Sequence, residues 1–167
     1  YKLFINGCYV GKGPVRSAEG QCYVDNYDIT ALLKKGNNVV AAIVHHIGEN
    51  TYAYSAGKPG LMCKVEITTD KGPQAFGTDE TWRVRRATEW TTSGARMSHR
   101  LGFQEVYDAG NANENWNKVR YSEKGWEYAS VVGIPPAQPW GEAIPRLTPP
   151  LQEEIVLAHA VIGTHNG

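Results

Sequence analysis

Tyr1-Lys2-Leu3-Phe4-Ile5-Asn6-Gly7-Cys8-Tyr9-Val10 decides the fold class. Two β-prone runs flank Asn6-Gly7. A two-residue type I′ turn needs positive φ at both central positions, which Asn and Gly tolerate best. The stretch therefore reads as a β-hairpin, with Leu3 and Ile5 on one side. Tyr1 already lies in strand, so a preceding strand is expected outside the sequence.

Most later segments are strands separated by turn signals. Val39-Val40-Ala41-Ala42-Ile43-Val44 is continuously apolar and reads as a strand buried on both faces. One face of a sandwich strand meets the core, so the other needs a cover, such as a loop or a neighbouring domain. Leu61-Met62-Cys63-Lys64-Val65-Glu66-Ile67-Thr68 alternates, with Leu61, Cys63, Val65 and Ile67 inward. Asp70-Lys71-Gly72-Pro73 turns the chain. Thr81–Arg85 alternates with Trp82 and Val84 inward, and Gln104–Asp108 and Tyr128–Val132 complete the set. One short helix is expected over Ala31–Lys35, with Asp28 as N-cap and Gly36 just past its end. This pattern predicts an all-β antiparallel β-sandwich over residues 1–133.

From Ile134 the texture changes. Pro135, Pro136, Pro139, Pro145, Pro149 and Pro150 make residues 134–152 an extended connector. Residues 153–167 read as strand again, either returning to the sandwich or opening a following domain.

Composition narrows the function. Seventeen basic residues balance seventeen acidic ones, so the basic surplus of a nucleic-acid binder is missing. Arg83-Val84-Arg85-Arg86 reads as a solvated strand face. No apolar run approaches the ~20 residues of a membrane span. Cys8, Cys22 and Cys63 match no zinc spacing. They read as buried reduced thiols, with a Cys8–Cys22 bridge as the alternative.

Four segments, in order, carry a resemblance to bacterial α-L-rhamnosidases. Tyr1–Pro14 resembles the family opening Y-x-L-x-V-N-G-x-x-V-G-x-G-P. Tyr27–Leu33 with Gly36–Ala41 is similar to Y-D-[IV]-T-x-L-L-x-x-G-x-N-V-[IV]-A. Thr78–Trp82 resembles T-D-x-[ST]-W, and Pro145–Glu154 resembles P-R-x-[IT]-P-P-x-x-E. At Tyr121–Trp126 the chain departs from F-D-D-S-x-W, keeping Trp126 without the acidic pair. The resemblance implies a galactose-binding-like jelly roll, joined in the same parent chain to an (α/α)6 catalytic domain. That domain would carry the two carboxylates of inverting hydrolysis, and neither maps onto a residue here. A periplasmic or secreted bacterial location also follows from the resemblance.

The most function-like stretch is His45-His46-Ile47-Gly48-Glu49-Asn50, followed by Tyr52 and Tyr54. His46-Ile47-Gly48-Glu49 matches an H-x-G-E common in the family. Sugar recognition needs flat aromatic faces and a few fixed polar groups. His46, Glu49, Tyr52 and Tyr54 are therefore candidate contacts, either to a rhamnose-containing glycan or to the neighbouring catalytic domain. His45 and His46 point to opposite faces of a strand and do not suit one metal. Asp25-Asn26-Tyr27-Asp28 offers oxygen ligands for a structural calcium, although calcium wants six to eight of them. No other cofactor is implied. Trp82 and Trp126 read as core, and Trp90, Trp116 and Trp140 as exposed stacking platforms. Asp79-Glu80 suits a turn. The sequence thus points to a non-catalytic accessory module of a glycosidase. An autonomous carbohydrate-binding module is the alternative, and a self-contained hydrolase is a weaker third reading.

Overall fold

The hairpin forms as its turn residues require. In the computed structural model, which describes residues 1–18, 20–52, 54–157, 159, 160 and 163, β1 (Lys2–Ile5) pairs antiparallel with β2 (Cys8–Lys12). Asn6 and Gly7 adopt φ values of 52° and 86° between them. A register shift after Leu3 makes a bulge in β2. The chain passes through β3 (Gln21–Val24) and returns as β4 (Val40–Ile43), which pairs with the other edge of β1. The resulting sheet has the order β2-β1-β4, so β1 is central. Ile5, only 1% exposed, and Ala41 are the buried apolar residues among those described.

The expected helix over Ala31–Lys35 is a single 3₁₀ turn at Thr30–Leu32. Asp28 is not its N-cap; its Oδ1 accepts the Thr30 N–H at 2.9 Å in a local Asx turn. Gly36 has φ 91° but follows a bend, where Asn38 stitches the loop by bonding Lys34 and Gly36. A second 3₁₀ turn lies at Ala109–Asn111.

β5 (Lys64–Thr69) and β6 (Gly72–Gly77) form a second hairpin around Asp70-Lys71. Val65 and Ile67 are half-buried while Lys64, Glu66 and Thr68 are exposed, as the alternation predicts. β6 escaped the sequence reading because Gly72, Pro73 and Gly77 argue against strand. Pro73 is tolerated because β6 is an edge.

The remaining strands are shorter than expected. β7 (Arg83–Val84) pairs with β8 (Glu127–Tyr128) over two residues. Val84 is exposed, opposite to its expected inward face, while Arg83 is half-buried with its guanidinium 3.5 Å from the Tyr128 ring centre. Gln104–Asp108 forms only isolated bridges: Tyr107 meets Trp90, and Phe103 just before it meets Arg96. The Arg83–Arg86 run is not wholly a solvated face, because Arg85 forks onto buried Glu89 at 2.9 and 3.0 Å.

The Pro-rich stretch holds β9 (Glu142–Pro145), which pairs parallel with β3. Both are Pro- or loop-flanked edges, so the sandwich is antiparallel except at this seam. Arg146 extends the seam, donating to the Val24 carbonyl at 3.1 Å. Residues 151–157 form no strand, and Ile155, Val156 and Leu157 are exposed; 158, 161, 162 and 164–167 lie outside the described residues.

The all-β sandwich does not close. An open cleft of ≈ 2550 Å³ runs through it, lined by Val10, Ile43, Val44, Leu61, Trp82 and Val132 among others. The strand read as buried on both faces is buried only at Ala41 and half-buried at Val40, Ala42 and Ile43, and Val44 just beyond it, which lines this cleft, is 47% exposed. The chain exposes 13495 Å², whereas a closed monomer of its 18.4 kDa would expose about 8,000 Å².

Candidate functional site

Beyond β4 the chain enters the loop that holds His46, Glu49, Tyr52 and Tyr54. Its tip closes through Thr51 and Tyr54, whose backbones bridge at 2.8 and 3.5 Å. The Asn50 side chain accepts the Ala56 N–H at 2.6 Å. A neighbouring hairpin presents residues 96–103, closed by the Arg96–Phe103 bridge and the Met97–Gly102 bond. The Ser98 hydroxyl shapes its tip by accepting the Arg100 and Leu101 N–H groups.

Arg96 joins the two tips. Its Nη1 reaches Glu49 Oε2 at 3.3 Å, its Nη2 the Asn50 carbonyl at 2.9 Å, and its Nε the Ser98 carbonyl at 3.1 Å. This planar, five-donor group suits such a three-way anchor.

The four candidate residues therefore divide. His46 and Tyr54 come together, the tyrosine hydroxyl 2.6 Å from Nδ1 with the rings edge to face at 6.0 Å. Glu49 is spent on Arg96. Tyr52 stands apart, 72% exposed, with its ring 5.8 Å from His99 and 5.7 Å from the Arg100 guanidinium. Arg16 donates to the Tyr52 carbonyl at 3.1 Å. The sequence reading missed Arg16, Arg96, His99 and Arg100. They lie far from the loop in sequence, and only the absence of acidic residues between Arg96 and Arg100 hinted at them.

The tryptophans are not open platforms. Trp90 packs on Tyr107 at 4.8 Å, Trp116 on Phe4 at 5.6 Å, and Trp126 on Tyr121 at 5.8 Å. Trp140 lies under Gly60, and Trp82 donates to the Gly77 carbonyl at 2.9 Å. All five are half-buried.

The profile of the α-L-rhamnosidase N-terminal domain matches residues 1–152. The chain belongs to this family. As a rhamnosidase N-terminal domain it is 26% identical over 147 residues to an α-L-rhamnosidase of Formosa agariphila, covering 77% of this chain and 14% of that one. It is 24% identical over 140 residues to an α-L-rhamnosidase of Streptomyces avermitilis, covering 75% and 13%. The crystal structure of a GH78 family rhamnosidase of Bacillus sp. GL1 superposes with a TM-score of 0.80 at 35% identity, over 89% of this chain and 15% of the other. The domain spans about one seventh of the length of these relatives.

The charges of this rhamnosidase N-terminal domain serve its architecture. Asp25 is buried and accepts from Arg146 at 2.9 Å and from the Tyr1 hydroxyl at 2.5 Å. Burial, followed by the bond to Asp25, raises the Tyr1 hydroxyl pKa far above its usual value. Arg146 sits in the Pro145–Glu154 segment, so the exit segment locks β9 onto the sandwich. Asp25 and Asp28, the oxygens considered for calcium, are thus engaged by Arg146 and Thr30. Among the described residues, no three His, Cys, Asp or Glu side chains group as metal ligands.

Each carboxylate with a displaced pKa is displaced downward. For Asp28 and Asp79 the cause is the bond from Thr30 or Thr81; for Glu66 it is Lys64; for Glu153 it is Lys12, then Tyr9. A glycosidase general acid is shifted in the opposite direction. Asp79 accepts from Thr81 in the turn assigned to it. The three cysteines are free; Cys8 is exposed rather than buried, while burial raises the Cys22 and Cys63 thiol pKa values.

Proposed function

We propose that this domain is a non-catalytic accessory unit of a larger α-L-rhamnosidase, bracing its catalytic domain by seating the open cleft against the rest of the same polypeptide. The unclosed cleft carries the reading. Its chain exposes roughly 5,000 Å² more than a closed monomer of this mass. Part of the excess is the extended exit segment, with Leu147, Leu151 and Ile155 each at least 80% exposed. The cleft adds solvent-facing apolar side chains such as Val44 and Val132.

The relatives supply an occupant of the right kind, since about six sevenths of each lies outside the matched region. Hydrolysis of the rhamnoside would then fall to the remainder of the polypeptide. The His46–Tyr54 and Glu49–Arg96 pairs would then stiffen the loop at the rim of that interface. An autonomous carbohydrate-binding module fits less well, because the cleft leaves apolar residues such as Val44 and Val132 open to solvent.

Residues 1–167 and the full-length parent, each with and without Val44→Asp, test this by chemical denaturation. In isolation the substitution is expected to change stability by less than ~0.5 kcal/mol, because the site is half exposed. In the parent, a carboxylate pressed into an apolar interface should cost about 2 kcal/mol, and removing the domain should lower activity. Equal effects in both contexts, with full activity in a parent lacking the domain, would overturn the proposal.

A further inference from the structure

Bracing leaves one cluster unused. Tyr52 is largely exposed, and three cationic or titratable groups lie beside it from two parts of the chain, Arg16 and the adjacent His99 and Arg100. Arg16 holds its carbonyl at 3.1 Å. His99 meets the ring edge-on at 5.8 Å, and the Arg100 guanidinium lies 5.7 Å from its centre. Among the described residues, neither Arg16 nor Arg100 has a carboxylate within ion-pairing distance. The nearby Glu49 is taken by Arg96. In a chain with seventeen charges of each sign, the two hairpin tips and Arg16 bring together three arginines, of which only Arg96 meets a carboxylate.

The cluster is also held in place rather than merely exposed. Arg96 ties the tips together through three hydrogen bonds, and Ser98 fixes the turn that carries His99 and Arg100. A preset aromatic face beside guanidinium groups that meet no carboxylate matches one ligand chemistry closely. The ring receives the apolar face of a pyranose, and the forks receive a planar anion two bonds at a time. A neutral sugar would leave the forks without a purpose.

We propose that Arg16, Tyr52, His99 and Arg100 form a subsite for an acidic oligosaccharide, in which Tyr52 stacks on a hexuronate ring and the two arginines bind its carboxylate. This extends the candidate loop from sugar contact in general to one class of sugar, and it does not depend on the bracing role.

The test is calorimetric titration of the full-length parent with a hexuronic acid trisaccharide and with its carboxyl-reduced neutral counterpart. The acidic sugar should bind at least about tenfold more tightly than the neutral one, the cost of a lost charge-assisted bond, and its affinity should fall with added salt. Arg16→Ala, Arg100→Ala and Tyr52→Ala should each weaken it about tenfold, with Arg100→Lys intermediate. An unchanged thermal midpoint in these variants separates lost binding from lost bracing. Equal binding of both sugars, no binding of either, or indifference to all three alanine variants would overturn the assignment.

Discussion

Asn6 shows how much one residue can organise. Its φ of 52° makes the first turn, and its side chain then reaches across to another segment. The amide donates to the Leu32 carbonyl at 2.9 Å and to Asn38 at 2.8 Å, while its oxygen accepts the Val39 N–H at 2.9 Å. The turn thus positions the start of β4 beside β1. Gly at this site would keep the backbone geometry and lose the bonds, and Ala would lose both. Asn6→Gly is expected to destabilise by about 2 kcal/mol, and Asn6→Ala by at least ~1 kcal/mol more. Denaturation of the two variants side by side checks it, and equal losses would mean that the bridging bonds, not the turn, set the cost.

At the scale of elements, the β3–β9 seam depends on one charge pair. Arg146 is 18% exposed and Asp25 only 3%, so removing the arginine strands a buried carboxylate. Arg146→Ala should cost about 3 kcal/mol. The double change Asp25→Asn with Arg146→Met should recover most of it, because the desolvation of both charges is removed. Failure of the double change to recover stability would show that the pair is also needed for registry. The seam also admits no side chain at Gly141: a Cβ there would lie 1.8 Å from the Gly20 carbonyl, with φ at +68°.

A second tie between elements is sensitive to pH. Glu153 accepts from Tyr9 at 2.7 Å and pairs with Lys12 at 2.6 Å, fastening the exit segment to β2. Lys12 first, then Tyr9, lowers the Glu153 pKa, so its contribution is present above the ordinary value of 4.5 and is lost as pH falls through the lowered one. The Tyr9 pKa is raised to about 12, by desolvation first and Glu153 second. Its contribution is complete below pH 10 and disappears as pH rises through 12. Tyr9 ring shifts in NMR spectra should therefore report a fastened segment at neutral pH and release at both extremes. In Glu153→Gln the acid-side release should vanish.

For the whole molecule, legibility followed the range of the interaction. The hairpin, the β5 alternation and the Asp79 turn are local, and the residues that encode them are adjacent in sequence. The family was legible through four ordered segments, which a match over residues 1–152 bears out. The failures were non-local. Nothing near Val84 indicated that it would face outward, since its β7 partner, Glu127, lies 43 residues further along the chain. β6 was hidden because Pro73 is acceptable only on an edge, a fact about neighbours. In the candidate site the loop was legible as a loop, and its four polar residues were named. Their division into an internal pair, an anchored carboxylate and an outward tyrosine depended on Arg96, which lies 47 residues from Glu49.

The parallel seam also carries a consequence in time. Asp25 must wait for a partner 121 residues later in the chain. At the usual ~5–20 residues per second of synthesis, that interval is about 6–24 s on the ribosome, far longer than the microseconds a hairpin such as β1–β2 requires. Throughout it the β3 edge stays unpaired and the Asp25 carboxylate lacks its cation, with only the Tyr1 hydroxyl to meet it, so the nascent chain passes through a prolonged stage open to edge-to-edge association. The carboxylate keeps that edge hydrated while it waits, and neutralising it through Arg146 coincides with the moment the strand is covered.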